Sequence, residues 1–283
     1  MEETRKKKPV GWIILVVVIV AALLASEWLE DPIDRWLDQA EDAVEAKLRG
    51  NGFSEPSFGG TDLTALDIEW TSGNVIIEAG TGDRITFSET DTDDPLVWDE
   101  ERGVLTIRYR KPGVRVMTGS KDLHVQIPPA LAEQLTSVRV DTTSADIELT
   151  GLTLRKLELD TTSGDVTADG SFDQLEADTT SGGVFVTGTA WHVEADTTSG
   201  RVEMELTQTP DEIAVDTTSG NVTVTIPEDR GFEAEFDTVS GRTNCEHQKI
   251  RGDSVRYTGT SNERPAEIDF DTVSGNIELR KAG

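Results

Sequence analysis

The sequence is poor in cysteine and histidine, and this limits the chemistry that it can support. Its single cysteine, Cys245, cannot form an internal disulfide, and no pair of cysteines is present to build a zinc knuckle. The three histidines, His124, His192 and His247, are scattered along the chain and form no motif. Nothing in the sequence predicts a bound cofactor.

Basic residues are also scarce. Acidic residues outnumber them 54 to 26, which gives a formal net charge of -28. A chain of this charge is not expected to bind nucleic acid, because it would have to neutralise phosphates with lysine and arginine. Cationic partners, divalent metals and simple solubility remain as explanations of the charge.

Only one long apolar run is present, and it lies near the amino terminus. Basic residues Arg5 to Lys8 precede a run from Val10 to Ala25, which is about the length of one membrane-spanning helix. This pattern predicts a cytoplasmic basic tail (1–9), a transmembrane anchor (10–29) and an extracytoplasmic remainder of a single-pass, integral protein of the cell membrane. A cleaved signal peptide is the alternative, although no small-residue cleavage site follows the run.

The next segment has the pattern of an amphipathic helix. Asp31 and Pro32 are typical of a helix start, Gly50 of a helix end, and apolar residues recur between them at spacings of three and four. We therefore predict a juxtamembrane helix over residues 31–50. Packing against the following domain or pairing with a copy of itself as a stalk is favoured over lying on the membrane surface. A glycine-rich linker follows at residues 51–61.

Residues 62–283 are dominated by a repeated motif. Asp-Thr-Thr-Ser-Gly and close variants of it start at seven positions: Asp141, Asp160, Asp178, Asp196, Asp216, Asp237 and Asp271. Successive copies are evenly spaced except for a longer last interval, from Asp237 to Asp271. Such a period with strand-like composition predicts an all-β fold, a parallel β-solenoid (β-helix) with coils of about 18–21 residues.

Alternation within each coil predicts two strands joined at the motif. Apolar residues stand three and one positions before each aspartate and generally resume six positions after it. The alternation of inward-facing residues must therefore shift by one position between the two strands. We place this shift at the Ser-Gly corner, because glycine accepts positive φ. The corner residues are Ser144, Ser163, Gly164, Ser181, Gly182, Ser199, Gly200, Ser219, Gly220, Ser240, Gly241, Ser274 and Gly275. A second, variable corner is predicted at Gly170–Asp173 and Gly188–Trp191.

The repeats resemble a known family. Ser-Gly followed by asparagine or aspartate and then valine or isoleucine, with the strand His124–Pro128 before the array and the copy Asp271–Ile277 near its end, is similar to the bacterial "putative adhesin" family. The resemblance covers residues 62 to 283. It implies a β-strand repeat domain of unknown function in a cell-envelope context, in some members linked to envelope stress. It brings no catalytic residues.

The motif aspartates are expected to point outward in a row. Repulsion between carboxylates about 4.8 Å apart needs an offset. Hydrogen bonds to backbone N–H groups at the corners would provide one. Calcium held by Asp160, Asp178, Asp196 and Asp216 is an alternative, although one aspartate per coil supplies few oxygens. A polar grid that orders water is a third interpretation.

The sequence does not predict an enzyme, since its serines and aspartates are periodic whereas a catalytic site is a single constellation. We predict a non-catalytic module for binding, sensing or scaffolding at the cell envelope. Its partner would be a cationic ligand, an envelope polymer or another protein. The alternative is a surface adhesin or a self-assembling structural domain, in which case the chain would form oligomers.

Overall fold

The computed structural model describes residues 57–58, 63–90, 96–109, 120–261 and 263–282. The predicted tail (1–9), anchor (10–29) and amphipathic helix (31–50) lie outside these ranges, as does the linker (51–61) except residues 57–58. The helix present in them, α1 (Pro129–Ala132), has 4 residues, and within these ranges no helix could cross a membrane. This finding contradicts the predicted single-pass location in the cell membrane.

The remaining elements are strands. They are β1 (Ser57–Phe58), β2 (Ala65–Ala79), β3 (Ile85–Glu89), β4 (Val97–Glu101), β5 (Val104–Arg108), β6 (Leu123–Ile127), β7 (Ser137–Ser163), β8 (Val166–Ser181), β9 (Val184–Ser199), β10 (Val202–Leu206), β11 (Glu212–Ser219), β12 (Val222–Ile226), β13 (Phe232–Ser240), β14 (Thr243–Cys245), β15 (Ser254–Tyr257), β16 (Ala266–Ser274) and β17 (Ile277–Lys281). All of them belong to one hydrogen-bonded sheet.

The predicted alternation of inward residues is confirmed. In the copy at Asp160, Leu157 and Leu159 before the motif and Val166 and Ala168 after it are all buried. The equivalent residues of the neighbouring copies join them in one continuous apolar core. Alternation places these side chains on one side of each strand, because successive residues of a strand point to opposite faces.

Parallel pairing follows the repeat in two rows. The motif row consists of the strands that lead into the Asp-Thr segment. In it, β2 pairs with the first part of β7, the second part of β7 pairs with β8, β8 pairs with β9, and β9 pairs with β11. In the following row, the strands after the Ser-Gly corner pair in the order β6, β2, β7, β8, β9, β10 and β12.

A third, short row replaces a predicted corner. Residues 152–154 of β7 pair with 170–172 of β8, and these pair with 188–190 of β9. The variable corners predicted at Gly170–Asp173 and Gly188–Trp191 are therefore largely strand. Phe172 and Ala190 are buried there, so this side of the repeat also contributes to the core.

The sheet is mixed, and the prediction of a parallel β-solenoid is therefore wrong. Antiparallel pairs join β1 to β3, β3 to β6, β4 to β5 and β13 to β15. They occur where the sequence departs from the repeat. The turn between β4 and β5, for example, has Arg102 and Gly103 at φ 55° and 81°, a conformation that reverses the chain within two residues.

The strands near the carboxyl terminus are not stacked in chain order. β16 pairs with β11 on one side and with β13 on the other. Likewise, β17 lies between β12 and β14. The copy at Asp271 is thus inserted between the copies at Asp216 and Asp237, which makes the Asp237 copy the last in space.

Candidate binding face

The motif aspartates form one row in strict register. Asp160 pairs with Asp178, Asp178 with Asp196, Asp196 with Asp216 and Asp216 with Asp271 across adjacent strands. Acidic residues two positions earlier point to the same side, since side chains alternate along a strand. We call this set the acidic face: Glu158, Asp160, Glu176, Asp178, Glu194, Asp196, Asp216, Asp269 and Asp271.

The first end of the acidic face meets basic side chains. Arg139 Nη2 lies 3.5 Å from Asp160 Oδ2, and Arg139 Nη1 lies 4.0 Å from Glu158 Oε2. Lys156 contacts Glu158 as well. In the repeats of Asp178 and Asp196, the positions two before the motif hold Glu176 and Glu194, so negative charge accumulates towards the middle of the face.

Asp178 is the most perturbed group of this face. Burial, and then the neighbouring charges of Asp196, Asp160 and Glu176, raise its pKa to about 8. Its Oδ1 is buried without a hydrogen-bond partner among the described residues. Burial also raises the pKa of Asp160, with Arg139 acting in the opposite direction. A carboxyl group in this situation favours a proton or another cation beside it.

A shallow groove crosses the strands next to this row. It has a volume of about 280 Å³. Its floor includes Ala214, which occupies the position that Glu194 and Glu176 hold in the preceding repeats. The smaller side chain leaves a depression bordered by carboxylates. The polar residues that line it are Lys156, Gln174, Glu176, His192, Glu194 and Glu212.

The first threonine of the motif points inward, which the sequence analysis missed. Thr142, Thr161, Thr179, Thr197, Thr217 and Thr272 are all buried. Thr142 Oγ1 donates to Thr161 Oγ1 at 2.8 Å, and Thr179 Oγ1 donates to the Gly164 carbonyl at 3.4 Å. The sequence did contain this information, because the threonine stands two positions after a buried residue and therefore faces the same side of the strand.

The predicted corner residues lie where expected, but the reason for glycine is different. The seven corner serines are exposed, and backbone N–H groups of the corner glycines donate to serine carbonyls of the next repeat, as Gly182 does to Ser199 at 3.2 Å. A Cβ on Gly200 would lie 1.7 Å from the Gly182 oxygen, and the other corner glycines are similarly crowded. Close approach of stacked backbones therefore requires glycine at these positions. Positive φ occurs at the corner of the first strand, where Gly73 on β2 pairs with Ala145 and has φ 108°.

The residue after the corner glycine joins neighbouring repeats. Asp146 Oδ1 accepts from the Asp165 N–H at 2.8 Å, and Asp165 Oδ1 accepts from the Gly183 N–H at 2.7 Å. Asn221 and Asn276 continue this arrangement near the carboxyl end. Corner hydrogen bonding thus exists, but the side chain that provides it is this aspartate or asparagine.

In the part of the chain that the structure describes, neither the histidines nor the acidic side chains are arranged as a metal centre. His124 lies 3.0 Å from Glu78, His192 contacts the Asp173 carbonyl and His247 the Arg280 carbonyl, so the structure does not bring the three together. Over the described residues, no group of three or more histidine, cysteine or acidic side chains could hold a metal ion. The calcium hypothesis for Asp160, Asp178, Asp196 and Asp216 gains no geometric support.

Comparison with known proteins places this repeat in a family. The model of Toastrack DUF4097 matches residues 108–280. The chain belongs to the Toastrack DUF4097 family. Two solved structures are similar to it. The first is a "putative cell adhesion protein" from Clostridium sporogenes (13% identity, TM-score 0.35, covering 81% of this chain and 97% of that one). The second is a "putative adhesin" from Bacteroides fragilis (12% identity, TM-score 0.46, covering 80% and 95%). No curated protein matches the chain.

The family match confirms the resemblance drawn from the repeats. The Toastrack region contains the whole acidic face from Glu158 to Asp271. It also contains the inserted strands β16 and β17 as far as residue 280. The acidic face is therefore a surface of the Toastrack domain itself.

Proposed function

We propose that this protein is a non-catalytic binding module whose acidic face captures a multivalent cationic ligand, a polypeptide segment rich in lysine or arginine. The proposal rests on the environment of the Asp178 side chain. Its carboxyl group is half-buried within a row of carboxylates, its pKa is raised to about 8, and its Oδ1 has no hydrogen-bond partner in the described part of the chain.

Repetition favours a ligand that binds at many points. Neighbouring strands set the carboxylates of the row about 4.8 Å apart. A polypeptide with basic side chains at short intervals can contact several of them at once. Each contact is weak in a solvated setting, but linked contacts add through effective concentration. The groove over Ala214 offers room for one long side chain among Glu194 and Glu212.

Binding of fluorescently labelled hexalysine, followed by anisotropy at low and at high salt, tests the proposal. We expect the triple variant Glu176→Gln, Asp178→Asn, Glu194→Gln to weaken binding about tenfold or more at low salt, since it removes the centre of the acidic face. We also expect salt to weaken binding by the parent protein.

A matched control replaces three acidic side chains by their amides in the following row, and both variants are compared with the parent at pH 9, where Asp178 is ionised and the charge changes are equal. Glu148, Glu203 and Glu205 point outward from the strands after the corner, and their triple substitution by glutamine should change affinity less than threefold. Equal losses in the two variants would mean that only net charge matters, and the proposed face would then be wrong. Absence of measurable binding by the parent would also overturn it.

A further inference from the structure

The carboxyl group of Asp178 is surrounded by other acidic groups. It is paired in register with Asp160 on β7 and with Asp196 on β9. Seven titratable or charged side chains share the outward side of the motif row with it on these three strands. They are Lys156, Glu158 and Asp160 on β7, Glu176 on β8, and His192, Glu194 and Asp196 on β9. Five of the seven are acidic, so an ionised Asp178 is repelled from its own strand and from both neighbours.

The basic side chains nearby neutralise the β7 side of this cluster. Arg139 contacts Glu158 and Asp160, and Lys156 contacts Glu158. In the part of the chain that the structure describes, Asp178 forms no ion pair, and its Oδ1 is buried without a hydrogen-bond partner. Half-buried carboxylates that lie side by side without a cation relieve their repulsion by holding a proton.

A basic ligand and this proton act on the same carboxyl group. A guanidinium or ammonium group beside Asp178 provides the positive charge that the proton otherwise provides, so the ligand binds the ionised form more tightly than the protonated form. By thermodynamic linkage, ligand binding then favours loss of the proton to the same extent. The neighbouring groove, lined by Glu176 and Glu194, gives a long basic side chain access to this part of the acidic face.

We propose that a cationic polypeptide binds the acidic face in exchange for one proton held by Asp178 and its register partners, so that pH regulates the binding. The exchange rests on the proposed function, because it needs this ligand on this face. In each binding event the O–H bond of the carboxyl group breaks, the proton passes to the solvent, and the carboxylate pairs with a basic group of the ligand. Affinity therefore rises as pH rises.

Binding of fluorescently labelled hexaarginine at pH 7, 8 and 9 and constant ionic strength tests the exchange by anisotropy. Hexaarginine is used because guanidinium groups stay protonated over this range. The pKa of Asp178 is raised to about 8, so the group is mostly protonated at pH 7 and mostly ionised at pH 9. We expect the affinity of the parent to rise about tenfold between these values. Asp178→Asn should bind as the parent does at pH 7 and about tenfold more weakly at pH 9.

The proton itself can be counted. Isothermal titration calorimetry at pH 7, in two buffers of different ionisation enthalpy, measures the protons released per hexaarginine bound. We expect about one proton from the parent and close to none from Asp178→Asn. A mere loss of negative charge would weaken binding without changing this count.

Two control variants separate Asp178 from other groups. Asp169→Asn makes the same substitution on the same strand, at an exposed position whose register partners are Thr150 and Thr187. His192→Gln removes the side chain on β9 whose type titrates closest to neutral pH. Both variants should keep the rise in affinity from pH 7 to pH 9, whatever their affinity at pH 7.

The outcomes distinguish the exchange from the proposed function. Hexaarginine binding of equal strength at pH 7 and pH 9, without proton release, would overturn the exchange and leave the proposed function in place. A pH dependence that persists in Asp178→Asn, or that is lost in Asp169→Asn or His192→Gln, would also overturn the exchange. Absence of binding at every pH would overturn the proposed function and the exchange together.

Discussion

Asp178 shows how an ordinary surface residue is altered by repetition. In a single strand its carboxyl group would be solvated and ionised. In this sheet it lies between Asp160 and Asp196, with Glu176 on its own strand. Burial and these charges act in the same direction, and the pKa of Asp178 rises to about 8. The folded state therefore holds a proton that the unfolded chain releases above a pKa of about 3.9.

This proton makes stability fall as pH rises. Between about pH 4 and pH 8 the folded state binds one more proton at this site than the unfolded state does, so the free energy of unfolding decreases with increasing pH. Asp178→Asn removes the ionisable group while keeping its shape. We expect the variant to be more stable than the parent at pH 8, by about 1 to 3 kcal/mol after allowing for solvent screening. Urea unfolding at pH 5, 6, 7 and 8 measures the difference.

Asp173→Asn is the control for this prediction, because Asp173 is exposed on the same strand. Its substitution should leave the pH dependence of stability as it is in the parent. If Asp178→Asn and the parent lost stability in parallel from pH 5 to pH 8, Asp178 would not be the group that binds the additional proton.

At the scale of strands, the sequence specifies what each repeat buries but not which repeats are neighbours. Alternation predicted the inward residues correctly, because a single register shift would expose the whole apolar set. Stacking order has no comparable local signal, since the edges offered by the copies at Asp216, Asp237 and Asp271 are chemically alike. One hint was present: only the copies at Asp237 and Asp271 have valine as the third motif residue, and these two copies are adjacent in the sheet.

The candidate face was predicted in part. The alternation of inward and outward side chains along each strand was sufficient to predict the outward row of aspartates. The half-burial of Asp178 could not be predicted, because it depends on how closely strands on both sides cover it. The crowding at Gly200 likewise arises between the backbones of successive repeats, with the Gly182 oxygen only 1.7 Å from where a Cβ would be. A local turn rule contains no information about such a contact.

Disulfide formation can test the inserted order of strands. Thr223 and Glu278 are register partners on β12 and β17, so their Cα atoms are close enough for a disulfide between adjacent strands. In a Cys245→Ser background, which removes the native thiol, we expect Thr223→Cys with Glu278→Cys to cross-link rapidly under mild oxidant. Non-reducing electrophoresis and mass spectrometry of the cross-linked peptides measure the yield.

The contrasting pair is Thr223→Cys with Asn244→Cys. These positions would be adjacent if the repeats stacked in chain order, but β17 lies between β12 and β14. Two strand spacings exceed the reach of a disulfide. Preferential cross-linking of this second pair would show that β17 is not inserted between them.

At the scale of the whole molecule, the repeats form a series in which each one is stabilised mainly by its neighbours. The copies at Asp160, Asp178 and Asp196 are equally spaced in the sequence and pair without an intervening register shift from the corner onwards. An irregularity occurs between Thr150 and Leu152 in the longer preceding repeat, where Gly151 has φ 74°. A repeat can thus accommodate an additional residue in a bulge, whereas no interval between successive motif copies is shorter than the one from Asp160 to Asp178.

Removing one repeat should therefore preserve the fold only if every inward-facing residue still faces inward across the new junction. Deletion of residues 178–195 joins Ala177 to Asp196 and keeps every inward position. We expect this protein to fold and to unfold cooperatively, with a smaller free energy of unfolding and a smaller urea m-value, because less surface is buried.

Deletion of residues 177–195, one residue more, joins Glu176 to Asp196 and places a charged side chain at an inward position next to the motif. That protein should fail to fold. A bulge can accommodate an additional residue, but an extended strand cannot lengthen to replace a missing one, and the buried charge has no partner. Circular dichroism and urea titration distinguish the two. Equal stability of the two deletions would mean that the register of the motif row does not hold this sheet together.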